Sequence, residues 1–170
     1  MLDFLFARLT ADPERGAPLF DSLTKIAREP HWFIGGSVPD TLDGRFAVLA
    51  SVTALTLVRL EEAGNEGNRV SVALTERFIE VMESEHRELG LGDPTLGRTV
   101  RKLVGSLARR TDIWRAALSG ETEWPAAVSE SLYKADRQAL GIDHSEGALR
   151  RLWGDLQQSN LEDIEQGKLT

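Results

Sequence analysis

The feature that most constrains this chain is a long helix near its middle that is apolar on almost every side. This helix is predicted to run from about Thr41 to Ala63, and its stretch from Phe46 to Val58 contains no charged side chain. Apolar residues spread around a whole helix, rather than along one stripe, are typical of a helix buried on all sides. We therefore expect it at the centre of the fold, surrounded by other elements.

Helical spacing also dominates the rest of the chain, and no segment alternates as a strand does. Six further helices are predicted, at about residues 2–9, 18–29, 70–89, 93–118, 125–140 and 145–156. We expect a loop at residues 30–39, a turn at GNEGN, residues 64–68, and a frayed polar tail from Gln157. The prediction is all-α: a single compact domain over residues 1–170, with about seven helices and so not a simple four-helix bundle.

Composition excludes several classes of function. The chain has 170 residues, of which 41% are hydrophobic and 28% charged, as in a soluble globular protein. Its net charge of −7 argues against a protein built as a whole to coat nucleic acid or anionic lipid, and we expect no sequence-specific DNA binding. It contains no cysteine, which excludes disulfides and thiolate metal sites. The start, MLDFLFARLT, lacks the features of a signal peptide, so we expect a cytoplasmic protein.

No catalytic set is recognisable in the sequence, so we predict a non-enzymatic protein with no cofactor and no metal. The glycine pair at residues 35–36 is not part of a phosphate-binding motif. Glu83 and His86 have the Glu-x-x-His spacing of di-iron helices, but the second such motif and the further carboxylates are missing. A metal-dependent enzyme that uses these two residues is the alternative, and elemental analysis would test it.

The central helix is entered through DTLDGRF, residues 40–46. Asp40 is predicted as the N-cap, and Asp43 resembles the acidic partner of a capping box. Arg45 can pair within this turn or cover the preceding loop. Gly44 costs about 1 kcal/mol relative to alanine inside a helix, so another element, the preceding loop or a partner must approach its backbone closely. We favour internal packing.

The predicted helix at residues 93–118 carries a concentrated basic face in an otherwise acidic chain. Four cations lie within about 100° of one another, opposite the apolar stripe: Arg98, Arg101, Lys102 and Arg109. Such a face is commonly solvated or paired with nearby acids. The functional alternative is a dock for an anionic surface, such as membrane headgroups, RNA or an acidic partner segment.

Two blocks of the sequence resemble the ubiquinol–cytochrome c chaperone family. They are PDTLDGRFAVLASVTALTLVRL, residues 39–60, and LTERFIEVMESEHRELGLGDPTLGRTVRKLVGSL, residues 74–107. The family pattern is a D-T-x-D-G-R-F helix entry, an apolar helix that ends in Arg-Leu, and R-E-x-G-x-G-D before a basic helix. The matching residues are Asp40, Thr41, Asp43, Gly44, Arg45, Phe46, Arg59, Leu60, Arg87, Glu88, Gly90, Gly92 and Asp93. With the loop from Trp32, the resemblance covers about residues 31–118.

The resemblance implies an assembly chaperone of the cytochrome bc1 complex that binds newly made cytochrome b near the ribosome and the membrane. It also implies a position that is at most peripheral, at the inner face of the energy-transducing membrane. The basic helix would then approach headgroups, RNA or acidic client loops. Trp32 and Phe33 would anchor the client if they are exposed, while the alternative places both aromatic residues in the core.

The chain departs from the family pattern at two places. Val52 stands where a histidine is expected, and GSLARR, residues 105–110, stands where an aromatic-rich run is expected. If these positions contact the client, the binding mode differs here. A helical module that docks on membranes or ribosomes without a cytochrome b client therefore stays open as a second hypothesis.

Overall fold

The computed structural model describes residues 15–90 and 92–169, except for the side chain of Asp93, and every regular element in this part is a helix. The helices are α1 (Ala17–Ala27), α2 (His31–Ile34), α3 (Leu42–Glu61), α4 (Gly64–Glu88), α5 (Asp93–Leu118), α6 (Trp124–Leu132), α7 (Ile142–Gln158) and α8 (Leu161–Glu165). The all-α prediction is confirmed. The helix predicted at residues 2–9 lies outside the described residues.

The predicted central helix is α3, and it lies at the middle of the fold. It packs against α1, α4, α5, α6 and α7, and nearly all of its side chains from Ala47 to Leu60 are buried. Each of the eight described helices contributes at least one side chain to the same hydrophobic core. The Ser51 hydroxyl reaches the Ala47 carbonyl one turn back, so this polar group is buried without losing its hydrogen bond.

Two segments predicted as irregular are partly helical. Residues 31–34 form the single turn α2, which lies inside the predicted loop. The GNEGN segment begins α4, because the reversal after α3 takes only Glu62, Ala63 and the left-handed Gly64, at φ +61°. The backbone of Gly67 then packs closely against the Leu60 carbonyl, which ties the start of α4 to the end of α3.

The boundaries around α6 and α7 also differ from the predictions. Helix α6 ends at Leu132 rather than Leu140, because Lys134 and Ala135 adopt left-handed backbone conformations that a helix cannot continue through. Helix α7 begins at Ile142, three residues before the predicted start, so that Ser145 is buried inside the helix.

The prediction of a frayed tail is wrong for the segment that forms α8. The Asn160 side chain caps this short helix by accepting from the Asp163 N–H at 2.9 Å. Ile164 is completely buried, and Glu165 makes a two-pronged ion pair with Arg69 of α4. Packing and this ion pair therefore hold a segment whose composition alone suggested disorder.

Candidate functional site

The start of α3 is capped by Thr41 rather than by the predicted Asp40. Thr41 has an extended backbone, and its Oγ1 accepts a hydrogen bond from the Gly44 N–H at 3.1 Å. Asp40 lies one residue too early to cap the helix and instead accepts from Arg45 Nε at 2.7 Å. This hydrogen bond holds the pKa of the Asp40 carboxyl below its ordinary value. Asp43 is exposed and lies 3.6 Å from the ammonium of Lys134.

Gly44 is buried against the loop that precedes α3. A Cβ atom at this position would overlap the carbonyl oxygen of Pro39 and press on the side chain of Val38. The prediction of close internal packing is therefore confirmed, and the approaching element is the loop. This contact sets the angle at which residues 35–41 enter the helix.

A groove of about 1130 Å³ opens beside this helix entry, and we call it the entry groove. Its walls come from three segments: residues 37–47, residues 106–113 of α5, and residues 130–140, which comprise the end of α6 and the loop that follows it. Two leucines that line it are unusually exposed, Leu42 at 72% and Leu140 at 96%. Exposed apolar side chains gathered at one concave surface are typical of a binding site.

Most of the D-T-x-D-G-R-F motif borders the entry groove. Its members that line the groove are Thr41, Asp43, Gly44 and Phe46. The motif therefore has two structural consequences: it caps and packs the start of α3, and it forms one wall of an open surface.

The entry groove contains two exposed ion pairs and one mostly buried cation. Arg109 pairs with Glu130, and Lys134 pairs with Asp43. Arg110 lies deeper, where its Nε and Nη2 donate to the Ser131 carbonyl at 3.1 and 2.9 Å. Its burial, reinforced by the neighbouring Arg109, lowers the pKa of the Arg110 guanidinium.

Trp32 is not at the surface. It is 1% exposed, and its indole Nε1 donates to the Ile26 carbonyl at 2.8 Å, which fixes α2 against α1. Phe33 is partly buried and packs against the core. Exposure was the condition for the anchor role, and Trp32 does not meet it; the alternative core position describes Trp32 correctly.

The predicted basic face divides into two parts. Arg98, Arg101 and Lys102 are exposed on α5, and none of them has an ion-pair partner within the described ranges. We call these three residues the α5 basic patch. Arg109 belongs instead to the entry groove through its pair with Glu130.

The second motif block forms the junction between α4 and α5. Gly90 has φ +84°, the left-handed conformation in which a helix commonly ends. Gly92 is the N-cap residue of α5, and Asp93 is the first residue of the helix. These glycines therefore shape the turn that presents the α5 basic patch.

The alternative metal site at Glu83 and His86 gains no further ligands from the fold. The Nδ1 of His86 lies 2.8 Å from the Met82 carbonyl of its own helix. Among residues 15–90 and 92–169, no three histidine, aspartate or glutamate side chains come together in a way that could hold a metal ion. In the same ranges, no helix is both long and apolar enough to cross a membrane.

Several residues that line the entry groove are not among the predicted site residues, chiefly Leu140, Glu130 and Arg110. Leu140 fitted a helical repeat that ends earlier than predicted, and Arg110 is not one of the four cations of the predicted basic face. The sequence carries no local signal for the break, because the left-handed residues 134–135 are not glycines.

Residues 15–90 and 92–169 therefore form an all-helical fold with an open groove beside the helix entry. A family model described as ubiquinol-cytochrome C chaperone matches residues 36–169, and the chain belongs to this family. The match continues beyond the two sequence blocks almost to the C-terminus.

A solved structure, described as the crystal structure of the Cbp3 homolog from Brucella abortus, has a similar fold. The similarity covers 100% of this chain and 96% of that chain, with a TM-score of 0.79 and 21% sequence identity. No curated protein sequence matches the chain.

Proposed function

We propose that this chain is a non-enzymatic assembly chaperone of the cytochrome bc1 complex, and that it holds newly made cytochrome b in the entry groove. The observation that carries the proposal is the position of the D-T-x-D-G-R-F motif. This motif forms one wall of a groove that presents exposed leucines, in a chain of the ubiquinol–cytochrome c chaperone family.

The apolar content of the groove suits a client that must later be released. Full burial of one leucine side chain contributes roughly 1.5–3 kcal/mol. Leu42 and Leu140 together therefore supply a contact strong enough to cover an unassembled apolar segment, but weak enough to be reversed when the client assembles. Such binding requires no catalytic group and no cofactor.

Site-specific photo-crosslinking tests this proposal. A photoreactive residue at position 42 or 140 should capture cytochrome b in cells after brief irradiation, affinity purification and mass spectrometry. The matched control is position 72, because Val72 is an exposed apolar residue of α4 that does not line the groove. Capture that is equally efficient from position 72, or no cytochrome b from positions 42 and 140, would refute the proposal.

A second candidate function is a helical module that docks on a membrane surface or a ribosome without a cytochrome b client. The exposed α5 basic patch favours it, because three cations remain without acidic partners in the described part of an acidic chain. Co-sedimentation with vesicles or ribosomes tests this function, because charge-driven docking should weaken as salt increases.

A further inference from the structure

We propose that Arg110 makes the entry groove selective for a client segment that carries a carboxylate beside aliphatic side chains. The inference rests on the proposed function, because it assumes that the client binds in this groove. It concerns a different property, namely which chemistry the groove recognises.

The first observation is that the charge of Arg110 is not neutralised within the described ranges. Its hydrogen-bond acceptors are neutral: the Ser131 carbonyl, and the carbonyl and hydroxyl of Ser106. Three carboxylates line the groove, Asp43, Glu130 and Asp136, and none of them pairs with Arg110. Glu130 is bound to Arg109, and Asp43 lies beside Lys134. A desolvated guanidinium without an anion is costly, and an incoming carboxylate would remove that cost.

The second observation is that Arg110 retains donor capacity. A guanidinium has five N–H groups. Nε and Nη2 each direct one N–H to the Ser131 carbonyl, and Nη1 donates to Ser106. The second N–H of Nη2 therefore has no acceptor among the described residues, and Arg110 lines the groove. A carboxylate placed there would accept a charge-assisted hydrogen bond.

The third observation is the apolar surface around this cation. The ring of Phe46 lies 5.8 Å from the Arg110 guanidinium carbon, and Leu42 and Leu140 line the same groove. The pair between Lys134 and Asp43 is highly exposed and therefore weak, so an entering segment displaces it at little cost. A small inorganic anion would use Arg110 but leave the apolar surface uncovered.

A titration monitored by NMR tests this inference with the full-length, ¹⁵N-labelled chain. The probe is sodium hexanoate, which joins an alkyl chain to a carboxylate, and the comparison is hexanamide, its neutral isostere. We expect hexanoate to shift amide signals in residues 42–47, 106–113 and 130–140, with hexanamide at least tenfold weaker. Equal binding of the two probes, or hexanoate shifts confined to the α5 basic patch, would overturn the inference.

The variant Arg110→Gln identifies the group responsible. It keeps a donor for Ser131 but removes the charge, so hexanoate should bind no better than hexanamide. Arg115→Gln is the control, because Arg115 lies on the same helix and pairs with Glu61 and Asp112 outside the groove. A folded Arg110→Gln variant that still prefers hexanoate contradicts the inference; if this variant does not fold, the two-probe comparison on the unaltered chain decides.

Combining this titration with the crosslinking experiment separates the two proposals. An Arg110-dependent preference for hexanoate supports the carboxylate subsite even when positions 42 and 140 capture no cytochrome b, and that second result refutes the client proposal alone. Conversely, undiminished capture of cytochrome b by the folded Arg110→Gln variant overturns the subsite and leaves the client proposal standing.

Discussion

Gly44 illustrates at the scale of one residue why a glycine is needed inside a helix. Its Cα faces the Pro39 carbonyl oxygen without room for a Cβ. Gly44→Ala should therefore destabilise the chain by about 1–3 kcal/mol, because the loop must move away from α3. Urea unfolding followed by circular dichroism measures this change in the free energy of unfolding.

Gly105→Ala is the matched control for this substitution. Gly105 is exposed in the middle of α5, and a Cβ there would meet no atom within 4 Å. Alanine should stabilise α5 by roughly 0.5–1 kcal/mol, because it loses less backbone entropy on folding than glycine does. A loss of stability in both variants would show that the Pro39 contact is not the cause.

We expect His31 to make the stability of the fold depend on pH. Its Nε2 lies 3.1 Å from Glu29, and its Nδ1 lies 3.1 Å from Nε2 of His144. Burial lowers the pKa of His31 and is the largest influence on it. The carboxylate of Glu29 raises this pKa, while His144 and Arg151 lower it further, and the net effect is a lowered pKa. Between this lowered pKa and the unfolded value of about 6.5, the unfolded chain binds more protons.

Stability should therefore fall as the pH drops below about 6.5. The melting temperature of the unaltered chain should decrease more between pH 7.5 and pH 5.5 than that of His31→Gln, which cannot titrate at this position. Circular dichroism melts at both pH values measure the difference. An identical decrease in both proteins would show that His31 does not contribute.

At the scale of elements, periodicity predicted the long helices but failed at the end of α6. Helices α3, α4 and α5 have repeated apolar positions over many turns, so their existence could be predicted from sequence alone. The end of α6 could not be predicted, because Leu140 continues the helical spacing of apolar residues. The backbone, however, is no longer helical at residues 134–135. Neither residue is a glycine, so no local signal marks the break.

The entry groove could be predicted in part for a related reason. DTLDGRF was identified because its residues are contiguous and carry a recognisable helix start. Its opposite walls come from residues 106–113 and 130–140, and only the packing of α5 and α6 against α3 brings them beside the motif. A pattern within one segment contains no information about such a juxtaposition.

Tyr133 connects the loop after α6 to two other elements. Its buried hydroxyl donates to the Gly36 carbonyl and lies 2.7 Å from the Ser145 hydroxyl of α7. Tyr133→Phe should destabilise the chain by about 1–3 kcal/mol, because a buried carbonyl and a buried hydroxyl lose their partner. Urea unfolding measures this loss, and a change below about 0.5 kcal/mol, the range of neutral surface substitutions, would contradict it.

At the scale of the whole molecule, positive side chains cluster on one helix of a chain whose net charge is negative. The chain carries −7, and several of its cations in the described ranges form ion pairs or hydrogen bonds with another element, among them Arg59, Arg69 and Arg115. The α5 basic patch is different, because it brings three exposed cations without such partners in the described ranges together within five residues of one helix. Each cation close to an anionic lipid surface contributes about 1 kcal/mol, so three of them favour docking in spite of the overall charge.

Reversing the patch with Arg98→Glu, Arg101→Glu and Lys102→Glu should therefore weaken co-sedimentation with phosphatidylglycerol-rich vesicles by about a hundredfold or more at low salt. Helicity should be unchanged, since all three side chains are exposed.

The control is the triple variant Lys25→Glu, Arg28→Glu and Lys168→Glu, which changes the net charge equally through exposed cations outside α5. If both triple variants lose binding equally, net charge rather than the patch governs docking; if neither does, the docking role is refuted. Retained crosslinking of cytochrome b by the first variant would further show that the entry groove captures its client independently of the surface on which the chaperone docks.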